Sequence, residues 1–247
     1  MKKFGLAIAV LSLAVSTLAA AAPKAPAAPA PAASTSAPSA PAWQEGVNYF
    51  PIRPPRPTSL PQGKVEVTEV FSYACPACNL FVATMHKLKQ SLPANAVVDY
   101  LPASFNPTED WPMFQLAFCT AQTLGVAEQT HDTMFDAVWT SGELAVMDPA
   151  TGRPKERLPT IEDAARFYER HAGVPAAKFL TTAKSFAVDL KVRNDETLLM
   201  AYGIDRTPTI VVNGKYRVVV QSAGGTDQLI ELVKWLVAKE SQPAANH

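Results

Sequence analysis

Val65-Glu66-Val67-Thr68-Glu69-Val70-Phe71-Ser72-Tyr73-Ala74-Cys75-Pro76-Ala77-Cys78 is the stretch on which the fold turns. Val65 to Ser72 alternates and is rich in β-branched side chains, so it reads as a strand. From Cys75 to Leu92 the repeat becomes helical, through Leu80, Phe81, Thr84, Met85 and Leu88. Val97 to Phe105 reads as another strand. Strand, helix and strand in succession form the core of a βαβ unit. A C-x-x-C pair stands where its helix begins.

That position has chemical consequences. The first-turn N–H groups of a helix lack intrahelical partners, and the helix dipole adds positive potential there. Both favour an anion, so the more exposed thiol, Cys75, is expected to be acidic and a good leaving group. Cys75 is then the attacked and attacking sulfur, and Cys78 the buried resolving partner. Pro76 suits the first turn, where its missing N–H is not needed. The same spacing makes half of many zinc sites, but a structural zinc needs two more ligands. Cys119, His86, His131 and His171 are scattered, and there is no second C-x-x-C and no H-x-x-x-H. We expect no metal, and no cofactor beyond the Cys75–Cys78 disulfide itself.

The N-terminal flank places this chemistry. Lys2 and Lys3 precede an apolar run from Phe4 to Leu18 and the small residues Ala19 to Ala22, the layout of an export signal. Cleavage after Ala21 is expected, making residues 1–21 a signal peptide. An uncleaved anchor is the alternative, since the run approaches the roughly 20 residues that span a bilayer. Export leads to an oxidising compartment, where paired cysteines do redox chemistry or form disulfides. Residues 22–42 are almost all Ala, Pro, Ser and Thr and read as a disordered tether. The 22 Lys and Arg balance the 22 Asp and Glu with no basic run, so no electrostatic case for nucleic-acid binding exists. A hydrophobic fraction of 48% supplies a core without disulfide staples.

Around the βαβ core, Val47 to Ile52 is expected as an edge strand halted by Pro54 and Pro55. Trp111 to Tyr202 looks helical almost throughout. Phe114, Ala117, Phe118 and Ala121 form one stripe; Ala164, Ala165, Phe167, Tyr168 and His171 form another, ended by Gly173 and Pro175. Asp148 to Pro159 reads as a loop. Thr209 to Val212 returns as a strand, Asn213-Gly214 as a two-residue hairpin turn, and Tyr216 to Gln221 as its partner. Leu229 to Val237 carries a closing amphipathic helix. The pattern is an α/β domain split by a helical insertion.

Several single residues carry expectations. Only ~5–6% of X–Pro bonds in folded proteins are cis, yet in a fold of this order Pro208 would lie beside the dithiol. A cis bond would leave the Thr207 backbone free to pair with an extended substrate. Glu69 shares a period-two face with Val65, Val67 and Phe71. Buried there, its pKa would rise and it would exchange protons with Cys78; a one-residue slip in register would leave it exposed instead. Cys119 is either a thiol packed between helices or, if exposed, a partner in a regulatory or intermolecular disulfide. His86, His131 and His171 are read as surface or packing residues.

Glu69 to Cys78, followed by Thr207-Pro208 and Val212-Asn213-Gly214-Lys215-Tyr216, with a Glu45-Gly46-x-x-Tyr49 start, resembles the DsbA family of periplasmic disulfide oxidoreductases. The resemblance runs from about Trp43 to Lys239. It implies a thioredoxin fold with an inserted helical domain: a discontinuous thioredoxin-like domain at 43–108 and 203–242, and the insertion at 109–202. It also implies a periplasmic donor of disulfides to unfolded exported polypeptides, reoxidised by a DsbB-like quinone-linked membrane protein. Cys75 would be the nucleophile, Cys78 the resolving thiol, Glu69 the buried acid, and Pro208 the cis-proline with Thr207 against the sulfurs. Ala77 departs from the best-known members, which carry His there. Without that contribution Cys75 should be acidic but less so, and the disulfide less oxidising. A monomer is expected; isomerases of this class usually need a dimerisation module, and the Ala/Pro tether offers none. The rival readings are a reductase or isomerase of the same fold, and a non-catalytic, chaperone-like binding module whose dithiol is only structural.

Overall fold

A computed structural model describes residues 43–242. The expected signal peptide and tether, at 1–42, lie outside the described residues. A short strand β1 (Phe50–Pro51) precedes β2 (Val65–Phe71), α1 (Pro76–Ser91) and β3 (Ala96–Pro102). β2 and β3 run parallel, as a crossover helix requires. A 3-10 turn at Pro107–Glu109 leads into α2 (Trp111–Thr123), α3 (Ala127–Trp139), α4 (Ile161–Ala172), α5 (Ala176–Ala183) and α6 (Phe186–Tyr202). Then come β4 (Thr209–Val212), β5 (Tyr216–Val218), α7 (Val220–Ala223) and α8 (Thr226–Ser241). The sheet order is β1-β5-β4-β2-β3, and every pairing except β2 with β3 is antiparallel.

β2 is covered on both sides, which explains its near-continuous burial. Val65, Val67, Ile210 and Val212 pack against Phe81, Met85 and Leu88 of α1 and Leu229 to Val237 of α8. Val70, Phe71 and Val211 join a second cluster with Phe114, Phe118, Phe135, Phe167 and Tyr168 from α2, α3 and α4. Each fully buried side chain of this kind contributes about 1.5–3 kcal/mol. The helical insertion therefore shares its core with the sheet. Among the described residues no helix is long and apolar enough to cross a membrane.

Three strands differ from their sequence-based extents. The edge strand shrinks to Phe50–Pro51, because Pro51 and Pro54 offer no N–H to a ladder; the Arg53–Pro54 peptide is cis. β3 stops at Pro102, although Ala103 N still donates to Phe71 O at 2.7 Å. β5 stops at Val218, and Val220–Ala223 turns helical instead of extending to Gln221. The hairpin turn forms as expected, with positive φ at Asn213 (53°) and Gly214 (62°). A Cβ at Gly214 would lie 2.2 Å from the Arg56 carbonyl oxygen, so only glycine fits.

Candidate active site

Beyond β2, the Ser72 carbonyl accepts from Cys75 N at 3.1 Å and starts the turn into α1. Cys75 is the N-cap, in extended conformation, and its Sγ accepts from Cys78 N at 3.4 Å. The sulfur thus fills the role that a Ser or Asp oxygen has at most helix starts. Its pKa is lowered to about 6, first by the hydrogen bond from the Cys78 thiol. Thr207 and the Cys78 and Ala77 N–H groups add to this, while burial opposes it. Cys78 moves the other way: burial pushes it well above the ordinary thiol value, and neighbouring Cys75 pushes it further. Both are free thiols here.

Cys75 is the more exposed of the pair only in comparison, at 5% against 0% for Cys78. The covering group is the loop before β4. Thr207 O lies 3.8 Å from Cys75 Sγ, and the Thr207–Pro208 peptide is cis. Pro76 and Ala77 are exposed beside it. Ala77, Leu80, Phe81, Thr207, Pro208 and Val220 line a groove of about 240 Å³, with Leu80 80% exposed. The structure therefore brings Cys75, Cys78, Pro76, Ala77, Thr207 and Pro208 together at one end of the sheet.

Glu69 is 2% exposed, which decides between the two registers left open by the pattern. Burial raises its carboxyl pKa to about 8; Cys75 and Asp132 push the same way and Lys89 opposes. Glu69 sits opposite Tyr100 across the β2–β3 ladder, and Lys89 Nζ lies 4.9 Å from the centre of the Tyr100 ring. Sequence reasoning did not single out Lys89. The only signal was its place one turn past Met85 on the buried side of α1.

The loop between Phe71 and Cys75 is held from α3. Trp139 Nε1 donates to Tyr73 O at 2.7 Å, and the Tyr73 hydroxyl pairs with His131 Nδ1 at 3.0 Å. His131 is a packing residue, ringed by Phe71, Tyr73, Tyr100, Phe118 and Phe135. Burial lowers its pKa to about 3, so it is neutral. His86 is a surface residue paired with Asp132 at 2.8 Å. His171, half-exposed, meets Glu143 at 3.2 Å. Cys119 is fully buried and donates to Asp195 Oδ2 at 3.2 Å, which leaves no exposed sulfur for an intermolecular disulfide. Among the described residues no cluster of His, Cys, Asp and Glu has the layout of a metal site.

A parallel βαβ unit with a dithiol at its helix start, facing a cis-proline loop, defines the thioredoxin-fold thiol–disulfide oxidoreductases. A family model described as thioredoxin matches residues 60–232. DsbA of Pseudomonas aeruginosa, a thiol:disulfide interchange protein, is 35% identical over 199 residues, 81% of this chain and 86% of that one. Its crystal structure matches with a TM-score of 0.67 at 34% identity, covering 80% of this chain and 94% of that one. DsbA from Xylella fastidiosa matches with a TM-score of 0.67 at 27% identity, over 78% and 95%. The chain belongs to the DsbA family and is a thiol–disulfide oxidoreductase.

Proposed function

We propose that this chain donates disulfides to unfolded polypeptides in the periplasm, with Cys75 as the exchanging sulfur and Cys78 as the resolving one. The observation that carries this reading is the Cys75 sulfur at the N-cap of α1, accepting from Cys78 N at 3.4 Å and lying 3.8 Å from Thr207 O of the cis-proline loop. This arrangement lowers the pKa of the Cys75 thiol while burial raises that of Cys78. A client thiolate attacks Cys75 of the oxidised enzyme. The client–Cys75 bond forms as the Cys75–Cys78 bond breaks, and the electron pair leaves on Cys78. The high pKa of Cys78 calls for a proton, and Glu69 is the buried acid that supplies it. A second client thiolate then attacks the client's sulfur in the mixed disulfide, and Cys75 leaves as its helix-stabilised thiolate. The client loses two electrons and the enzyme gains them as its dithiol.

The Thr207 backbone pairs with the extended client as an added strand. Reoxidation falls to a DsbB-like quinone-linked membrane protein, and the enzyme works as a monomer with no cofactor beyond its own disulfide. The test is a redox titration of the mature protein against glutathione, run beside refolding of a reduced, disulfide-dependent protein. Oxidative refolding that is lost in Cys75→Ser supports the donor. A low potential without refolding activity makes the enzyme a reductase, and activity intact in Cys75→Ser removes the dithiol from the mechanism.

A further inference from the structure

The segment between α3 and α4 has no part in the exchange described above, yet it folds onto the start of α1. Asp148 to Pro159 within it is the stretch read as a loop from the sequence, and the segment contains a small hairpin. Asp148 N donates to Arg153 O at 2.7 Å, Lys155 N donates to Val146 O at 2.9 Å, and Met147 bridges Pro154 antiparallel. Asp148 Oδ1 accepts from Ala150 N at 2.7 Å and closes the tip. Between this hairpin and the active-site turn lies a cavity of about 510 Å³, roughly twice the 240 Å³ groove on the cis-proline side. Ala74 and Pro76 form one wall; Val138, Trp139, Ala145 and Met147 form the other. The indole N–H of Trp139 is already engaged by Tyr73 O. The ionisable groups of the lining are the carboxyls of Glu109 and Asp148.

We infer that this cavity is a side-chain subsite for the client, taking an aromatic or branched aliphatic residue within two positions of the reacting cysteine. The inference rests on the reading of Cys75 as the exchanging sulfur. Ala74 and Pro76 are its chain neighbours, so a polypeptide disulfide-bonded to Cys75 passes the mouth of the cavity. The cavity volume falls in the range of sites that enclose a small organic group. An uncharged polar client side chain would give up its water for mostly apolar walls, with only Thr140, Ser141 and the two carboxyls at hand to bond it, and an acidic one would meet Glu109 and Asp148. Unfolded chains expose apolar residues beside their cysteines and folded proteins bury them. The subsite therefore selects clients that still need a disulfide.

The test uses the oxidised mature protein and single-cysteine peptides whose flanking positions are varied among Ala, Leu, Phe, Trp and Asp. Initial rates of mixed-disulfide formation are read by acid quench and mass spectrometry. At one flank the Leu, Phe or Trp peptides should react about tenfold faster than the Ala peptide, and the Asp peptide slower still. Ala145→Trp, which fills the cavity, should erase the preference, and Ala145→Leu should reduce it. Glutathione, which has no apolar side chain, should react with both variants within about twofold of the wild-type rate, and this also reports that they fold. Absence of any flank preference in the wild type overturns the subsite, as does a preference that survives both substitutions. Failure of the wild type to react with glutathione at all overturns the exchange reading itself, a distinct result that takes the subsite with it.

Discussion

Glu69→Gln replaces a buried carboxyl with a neutral amide of the same size and removes its proton from the folding equilibrium. Burial holds the carboxyl near pKa 8 in the fold, against 4.5 for an ordinary glutamate. Between those values the unfolded chain has released a proton that the folded chain retains. Stability therefore falls as pH rises, by up to about 1.4 kcal/mol per pH unit. The favourable contribution is complete below pH 4.5 and lost as pH passes 8. The accumulated loss is about 3 kcal/mol at pH 7 and approaches roughly 5 kcal/mol above pH 8. Against the ~5–15 kcal/mol that holds a typical domain together, that is a large share. Urea unfolding of the reduced protein, wild type beside Glu69→Gln, at pH 4.5, 6, 7 and 8 measures it. Cys75 titrates in the same window with the opposite sign: its stabilisation is present above pH 9 and lost as pH falls through 6. While Glu69 keeps its proton, below its own pKa, that contribution is common to both proteins and cancels in the difference. The variant should match the wild type near pH 4.5 and exceed it by about 3 kcal/mol at pH 7. A difference that stays flat from pH 4.5 to 8 would refute burial as the controlling cause.

Three further outcomes follow from the same geometry. The Cys75 thiolate, followed by its ultraviolet absorbance, should appear with a midpoint near pH 6; Ala77→His should lower the midpoint and make the disulfide more oxidising, and a variant unchanged in both would contradict this. Lys89→Met removes the cation that opposes the rise at Glu69, so the pH at which the Glu69 contribution vanishes should move upward, whereas an unmoved profile would exclude Lys89 from the site's electrostatics. Cys119 should resist a thiol reagent until denaturant is added, and Cys119→Ala should cost about 1–3 kcal/mol by leaving Asp195 a donor short; labelling of the native protein would show the burial to be wrong.

The parts of this fold legible in the sequence are those decided by local pattern. Alternation over Val65 to Phe71, the helix that follows Cys75, and the Asn213-Gly214 turn each need only neighbouring residues, and each forms where the pattern puts it. What pattern missed is decided by partners far along the chain. Val218-Val219-Val220 has strong strand preference, yet Val220–Ala223 becomes a helical turn. Ser222 is held there by Asn48: its hydroxyl donates to Asn48 O at 2.9 Å and its carbonyl accepts from Asn48 Nδ2 at 3.1 Å. Tertiary contacts of this kind override strand propensity. The burial of Glu69 was undecided for a similar reason. Period two fixes which residues share its face, while the parallel partner β3 and the covering helix fix whether that face meets water. Lys89 and the Tyr73–His131 pair reach the site from α1 and α3, and the hairpin beyond Trp139 has no periodic signal at all.

The three titrating groups of the site also depend on one another, and this bears on the direction of exchange. At pH 7 a Cys75 thiol with pKa near 6 rather than 9 favours the dithiol over the disulfide. Allowing for water at the open side of the sulfur, the effect is on the order of 1 kcal/mol, or about 20 mV towards a more oxidising couple. The same thiolate pushes the Glu69 carboxyl upward, because two anions in one poorly solvated site repel. Oxidation to the disulfide removes that anion, so Glu69 holds its proton less tightly in the oxidised enzyme than in the reduced one. Glu69, having passed its proton to Cys78, recovers one from solvent, so reduction by a client takes up protons at both groups and the potential must change with pH across the window where Glu69 titrates. Glu69→Gln should flatten that dependence while leaving the Cys75 midpoint close to its wild-type value. Carboxyl and thiol would then be separable contributions to one redox couple.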